Sequence, residues 1–332
     1  MPHDWHGKTV VITGASAGLG RAAAVGFAHH VASLVLAARR ATELEETARQ
    51  CREAGGRAAV VPTDVAHEDQ VSALAQAALA ESGQIDVWIN NAGVTAFAPI
   101  EEGPFDEHRR VLETNLNGAI HGARAVLPIF RRQRHGVLIN VGSILSRMGQ
   151  AFVPAYVISK FGVRGLSEAL RVELADEPDI HVCTLMPYAI DTQHFEAAAS
   201  RVGFQARAMP PTLSPEKVAT ALVDLAARPR RERHVPRVAA LGLALHVLFP
   251  GTVERLLLHA LQTWHFSRTA EPVTSGNLFR PRQEPAAVQG QRGPRIGVLR
   301  LALWAIGDLW RGRKPPARRL RPHPAPDVTA DD

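Results

Sequence analysis

The stretch Lys8-Thr-Val-Val-Ile-Thr-Gly14-Ala-Ser-Ala-Gly18-Leu-Gly20 decides the fold. An apolar run, 8–13, leads into glycines at 14, 18 and 20, and an alanine-rich helical pattern, 18–30, starts among them. Glycines let a backbone turn tightly and approach a pyrophosphate, while a helix N-terminus offers unpaired N–H groups to an anion. A glycine loop alone is also an ordinary turn, and its place between a first strand and a first helix is what makes it a phosphate loop. Gly14, Ser16, Gly18, Leu19 and Gly20 are the candidate contacts.

Outward from this loop, strand-like runs recur at 33–38, 58–65, 85–93, 135–143 and 180–187. Helical stretches at 41–54, 67–82, 105–133 and 154–176 separate them. Nearly continuous apolar strands with helices between them indicate parallel strands buried on both faces. The expected fold class is α/β: a Rossmann-type doubly wound parallel sheet in a single domain, with a C-terminal helical extension. The expected divisions are 1–235, a dinucleotide-binding catalytic domain; 236–279, an apolar helical extension; and 280–332, a basic linker, amphipathic helix and disordered tail. Past residue 190 the pattern becomes loop-like until Ser214, a helix N-cap ahead of a helix over 215–227. The run 238–250 is apolar apart from one histidine and too short to span a bilayer, so it reads as a buried helix or a partner interface.

Charge and cysteine usage exclude several functions. Of the 38 basic residues, 11 lie in 280–332 against 5 acidic ones, so the net +6 belongs to this tail and the rest of the chain is neutral. No basic patch interleaved with aromatics points to nucleic acid. The 2 cysteines, Cys51 and Cys183, fit no metal-ligand spacing, and reduced thiols in a cytoplasmic protein without a metal site are expected. The N-terminus carries no apolar signal-peptide core.

Two details suggest chemistry. The second strand ends Ala37-Ala38-Arg39-Arg40, where NAD-binding units usually place a carboxylate for the ribose 2′-OH. Guanidinium groups suit a 2′-phosphate, so Arg39 and Arg40 point to NADP(H), although two solvated arginines would look the same. The chain has only 2 tyrosines, and one of them, Tyr156, stands one helical turn before Lys160. A neighbouring ammonium is expected to lower the phenol's pKa and fit it for proton transfer, whereas an isolated pair of this kind is commonly just a polar helix face.

Over about residues 7–235 the chain resembles the short-chain dehydrogenases/reductases. The matching residues are Thr13-Gly14-xxx-Gly18-x-Gly20, Asp64-Val65, Asn90-Asn91-Ala92-Gly93, Asn115, Ser143 and Tyr156-xxx-Lys160. The resemblance implies that Tyr156 is the general acid in ketone reduction and the base in alcohol oxidation. It implies that Lys160 lowers the phenol's pKa and binds the nicotinamide ribose. Ser143 then donates to the substrate oxygen, and Asn115 holds a water in a proton relay. Asp64 and Val65 are implied to contact the adenine, and Asn91, Ala92 and Gly93 the adenosine side, with Asn90 either there or structural. Pro187 and Thr192 are the implied nicotinamide-side contacts. Oligomers are implied as well.

One departure is Tyr188, where the family usually has glycine; it either narrows the substrate pocket or points outward. The expected pocket wall is Ile144, Leu145, Met148, Phe152, Val153, Phe195, Phe204 and Met209, with Arg147 and His194 as exceptions. A lipophilic ketone, aldehyde or alcohol fits it. The rival expectation is a catalytically silent NADPH-binding regulator or scaffold. Residues 296–314 read as a helix docking on protein, with an interfacial membrane helix as the alternative.

Overall fold

The computed structural model describes residues 5–282, 284–291 and 307. The expectations for 296–314 and for the tail lie outside the described residues. Seven strands form one sheet: β1 (Thr9–Thr13), β2 (Ser33–Ala38), β3 (Arg57–Pro62), β4 (Val87–Asn90), β5 (Gly136–Val141), β6 (Ile180–Pro187) and β7 (Glu232–Val235). Their order is β7-β6-β5-β4-β1-β2-β3, and every pairing is parallel. The two-residue period of a strand divides the apolar runs between two cores. Val10, Ile12, Leu34 and Leu36 enter one, while Val11, Val35, Trp88 and Leu138 enter the other.

Helices α1 (Gly18–Ala28), α2 (Ala41–Glu53), α3 (Glu68–Ser82), α4 (Phe105–Leu112), α5 (Gly118–Gln133), α6 (Pro154–Glu173) and α7 (Pro215–Ala227) cover the sheet. Residues of α1, α2 and α7 fill the first core, and those of α3, α5 and α6 the second. The helix expected over 105–133 is broken by a π-helical segment, Glu113–Asn117, between α4 and α5. Ser214 caps α7 as expected, its hydroxyl accepting the Lys217 N–H at 3.3 Å.

The extension runs through α8 (Ala239–Leu248) and α9 (Pro250–Ala260), then returns as a strand, Phe266–Ala270, antiparallel to Phe204–Ala206. The expectation of a buried helix over 238–250 fails within this chain. Leu243 is buried, but Val238, Leu241, Leu245, Val247, Leu248 and Phe249 are exposed. The described part of 280–295 is likewise no free linker. Its main chain pairs with Gly18, Arg40, Asp191 and Gln193 across the sheet's C-terminal edge.

Candidate active site

The chain crosses from β3 to β4 on the other side of β1, and at such a switch point the strand ends open a crevice. Here the crevice is a cavity of about 560 Å³, lined by residues of the glycine loop, Arg39, Asp64, Ser143, Tyr156, Lys160 and Thr192 among others. Every residue singled out as catalytic lines it except Asn115.

The glycine loop is shaped for close approach. Gly14 has φ +68°, and an added Cβ would lie 2.8 Å from Ala92 Cα. At Gly20 a Cβ would collide with the Gly14 carbonyl. Asn91 braces the turn, donating Nδ2 to Thr13 O at 2.9 Å, while Thr13 Oγ1 accepts the Asn91 N–H at 3.0 Å. No side chain caps the start of α1; its Gly18 N–H donates instead to the main-chain carbonyl of Ala287 at 3.0 Å, a bond an anion could replace. Asn90 is structural: it accepts from Trp88 Nε1 (2.8 Å) and donates to Asn140 Oδ1 (2.8 Å). Burial pushes the Asp64 carboxyl up, but the Ala66 N–H and the Arg110 guanidinium outweigh it and hold the group below its ordinary value.

Tyr156 and Lys160 stand near the start of α6, on the turn nearest the end of β5. Lys160 Nζ lies 5.5 Å from the Tyr156 ring centroid and donates to Val141 O at 2.7 Å. Ser143 follows β5 in extended conformation; its hydroxyl accepts the Leu145 N–H and bonds the Tyr156 phenol. Burial drives the phenol up to about 12, with the Ser143 bond pulling it partly back, and drives the Lys160 ammonium down to about 8. The expected lowering of the phenol pKa is therefore not met in this cleft: the ammonium faces the ring and a carbonyl, and desolvation prevails.

Asn115 sits in the π-helical segment and is pinned on three sides. Its Oδ1 accepts Val94 N–H (2.8 Å), and its Nδ2 donates to Val94 O (3.0 Å) and Ser159 Oγ (3.0 Å). Ser159 in turn donates to the Tyr156 carbonyl at 2.7 Å. Asn115 thus locks the exit of β4 to the turn that carries Tyr156. π-Bulges gather at functional sites for this reason: one extra residue re-aims a side chain.

Tyr188 lines the cavity and packs its body on the first core, donating its hydroxyl to Pro210 O at 3.1 Å. Its φ is not in the left-handed region, so the missing glycine costs no backbone strain. Of the expected pocket wall, Ile144, Leu145, Met148, Val153, Phe195 and Met209 line the cavity. Phe152 and Phe204 pack just behind it, and Arg147 instead pairs with Glu232 at 2.5 Å. Thr95, Phe97 and His265 also line the cavity, and no motif in the sequence marks them. Thr95 Oγ1 holds His194 Nε2 at 2.9 Å, and burial, aided by Lys160, pushes that imidazole down to about 4. His194 is thus neutral beside Tyr156, with ring centroids 5.9 Å apart.

The family model for short chain dehydrogenase matches residues 8–202. The chain belongs to the short-chain dehydrogenase/reductase family. An uncharacterized oxidoreductase of Bacillus subtilis, YxnA, is 32% identical over 276 residues, 82% of this chain and 78% of that protein. A 3beta-hydroxysteroid dehydrogenase 1 of Eggerthella lenta is 38% identical over 194 residues, 58% of this chain and 74% of that protein. Among solved structures, an alcohol dehydrogenase of the archaeon Thermococcus sibiricus complexed with 5-hydroxy-NADP has a TM-score of 0.60 and 28% identity, covering 68% of this chain and 95% of that one. A metagenomic short-chain oxidoreductase in complex with NADP has a TM-score of 0.58 and 28% identity, covering 69% of this chain and 96% of that one. The protein is an oxidoreductase of a family that uses NAD(P) cofactors, and among the described residues no helix is long and apolar enough to cross a membrane.

Proposed function

We propose that the protein interconverts a lipophilic ketone or aldehyde and its alcohol, using NADP(H), with Tyr156 as general acid and base. The observation that carries this reading is one cavity with the Ser143–Tyr156–Lys160 group on one wall and an uncapped helix start and two arginines on another. The glycine loop fits a dinucleotide, since its tight turn against Ala92 and its own Gly14 carbonyl leaves no room for a Cβ at Gly14 or Gly20. Arg39 and Arg40 suit a 2′-phosphate, and no carboxylate stands in their place at the end of β2. When bound, the nicotinamide supplies or takes the hydride.

The chain's own residues handle the proton. A phenol pushed up to about 12 is fully protonated at neutral pH, so it gives its proton only when an adjacent oxygen becomes strongly basic, as a carbonyl does on reduction. The Ser143 hydroxyl, held against the phenol, is placed to donate to the same developing oxyanion. The Lys160 charge, over the ring, lowers the cost of the tyrosinate that remains. Phe97, Leu145, Met148, Phe195 and Met209 give the cavity an apolar wall that excludes water and favours an uncharged, lipophilic substrate. The printed activity of the Eggerthella lenta relative, on a 3beta-hydroxysteroid, supports that substrate class.

The test is NADPH and NADH binding, then turnover on lipophilic ketones and alcohols. Turnover should prefer NADPH and fall by about 10²–10⁴-fold in Tyr156→Phe, the usual worth of a placed acid or base. Tight NADPH binding with no turnover on any compound would favour a nucleotide-binding regulator; no nucleotide binding would refute the reading.

A further inference from the structure

Residues 277–290 (Gln283 apart) cross the crevice and bond to both of its banks. On the glycine-loop bank, Gly18 N–H donates to Ala287 O and Arg21 Nη1 to Ala286 O, each at 3.0 Å. Arg39 gives Nη1 to Leu278 O (3.0 Å) and Nη2 to Asn277 O (2.5 Å). Arg40 Nη1 reaches Arg282 O (3.2 Å) and Glu284 O (3.1 Å). On the opposite bank, the loop after β6, Gln193 accepts the Ala287 N–H at 2.8 Å and donates Nε2 to Pro285 O at 3.2 Å. Gly290 N–H donates to Asp191 O at 3.2 Å, and a Cβ on Gly290 would lie 2.5 Å from Thr192 O. At its root the crossing segment is fixed: Asn277 N–H donates to Ala197 O at 2.9 Å, and Ser275 donates to the buried Glu107 carboxylate at 2.9 Å. Asn277, Pro281, Arg282, Glu284 and Pro285 line the cavity together with the glycine loop, so the segment covers the space without filling it.

We propose that this segment is part of the nucleotide site: a strap that closes over the bound dinucleotide and must release for it to enter or leave. The inference rests on the nucleotide-dependent reading above and extends it to exchange of the cofactor. The donors that a 2′-phosphate and a pyrophosphate need, on Arg39, Arg40 and the α1 N-terminus, each hold a neutral main-chain carbonyl here, and Arg40 Nη1 also pairs with the Glu43 carboxylate at 3.0 Å. A half-buried guanidinium without an acceptor is costly, so those carbonyls help keep the arginines in place before nucleotide binds. A phosphate is the stronger acceptor, since charge-assisted hydrogen bonds are about twice as strong as neutral ones, and it takes the donors over. The Gln193 pair and the Gly290 contact hold the strap to the bank opposite the glycine loop, and they set how easily it lifts.

The test uses the full chain, NADPH and its fluorescence in stopped flow. Gln193→Ala removes two strap bonds, and Gly290→Val forces the strap off Thr192. Association and dissociation should both be about tenfold faster in each variant, the scale of one or two neutral hydrogen bonds. Rates equal to wild type in both variants overturn the proposal. Should the variants fail to fold, trypsin cleavage of the wild-type protein after Arg282 decides, the Arg280–Pro281 bond being resistant: saturating NADPH changes its rate if nucleotide takes over the strap's donors, and an unchanged rate overturns the proposal. Wild-type protein that binds neither NADPH nor NADH would instead refute the nucleotide-dependent reading itself.

Discussion

Lys160→Met should make the nucleotide-free protein more stable while abolishing turnover. The ammonium is 5% exposed, and burial brings it from 10.5 to about 8, roughly 3 kcal/mol of cost for staying protonated at neutral pH. Its bond to Val141 O returns about 1 kcal/mol, so a methionine of similar volume should stabilise by about 2 kcal/mol at pH 7. The pH dependence distinguishes this from generic packing. The folded pKa lies below the unfolded one, so between about 8 and 10.5 the unfolded chain binds the extra proton. The lysine's contribution to stability therefore rises with pH across that window, the full cost being present below 8, and the advantage of Lys160→Met shrinks across it. The Cys51 and Cys183 thiols, raised from 9.0, and Tyr156, between 10 and about 12, act in the opposite sense, but the thiols do so in both proteins, so the difference between wild type and variant in urea unfolding at pH 7 and pH 9.5 isolates the lysine. Wild type matching or exceeding the variant at pH 7, or a gap that does not narrow by pH 9.5, would refute the reasoning.

Two further expectations concern the walls of the site. Asn115→Ala should destabilise the fold by about 2–3 kcal/mol, because it orphans the buried Val94 N–H and carbonyl; urea denaturation measures this. Arg39→Ala should weaken NADPH binding by about tenfold or more and leave NADH binding within about twofold, as titration calorimetry would show; equal losses for both nucleotides would remove Arg39 from 2′-phosphate recognition.

The sheet was legible because its strands are apolar on both faces, and buried parallel strands have no other composition to adopt. The glycine loop was legible because Gly14 and Gly20 sit where no Cβ fits, a constraint that shows directly as residue type. Residue type says nothing about main-chain acceptors. Arg39 and Arg40 were read as phosphate ligands, while the carbonyls of Asn277, Leu278, Arg282 and Glu284 that hold them carry no signature. The Pro- and Gly-rich composition around 280–295 looked like linker for the same reason. The π-helical turn at Asn115 inserts one residue into a helical pattern without disturbing its polarity, so 105–133 read as one helix. The lysine's effect on Tyr156 was misjudged because spacing reports proximity, and the pKa followed burial instead.

The strap also sets an order of events during synthesis. Arg39 and Arg21 are followed by their carbonyl partners only 238 to 265 residues later along the chain. At ribosomal rates that is roughly 10–50 s, during which the phosphate donors exist without their cover. The sheet is complete only at Val235, however, so a folded domain precedes residues 277–290 by about 40–55 residues, roughly 2–11 s in which the glycine loop is formed and uncovered.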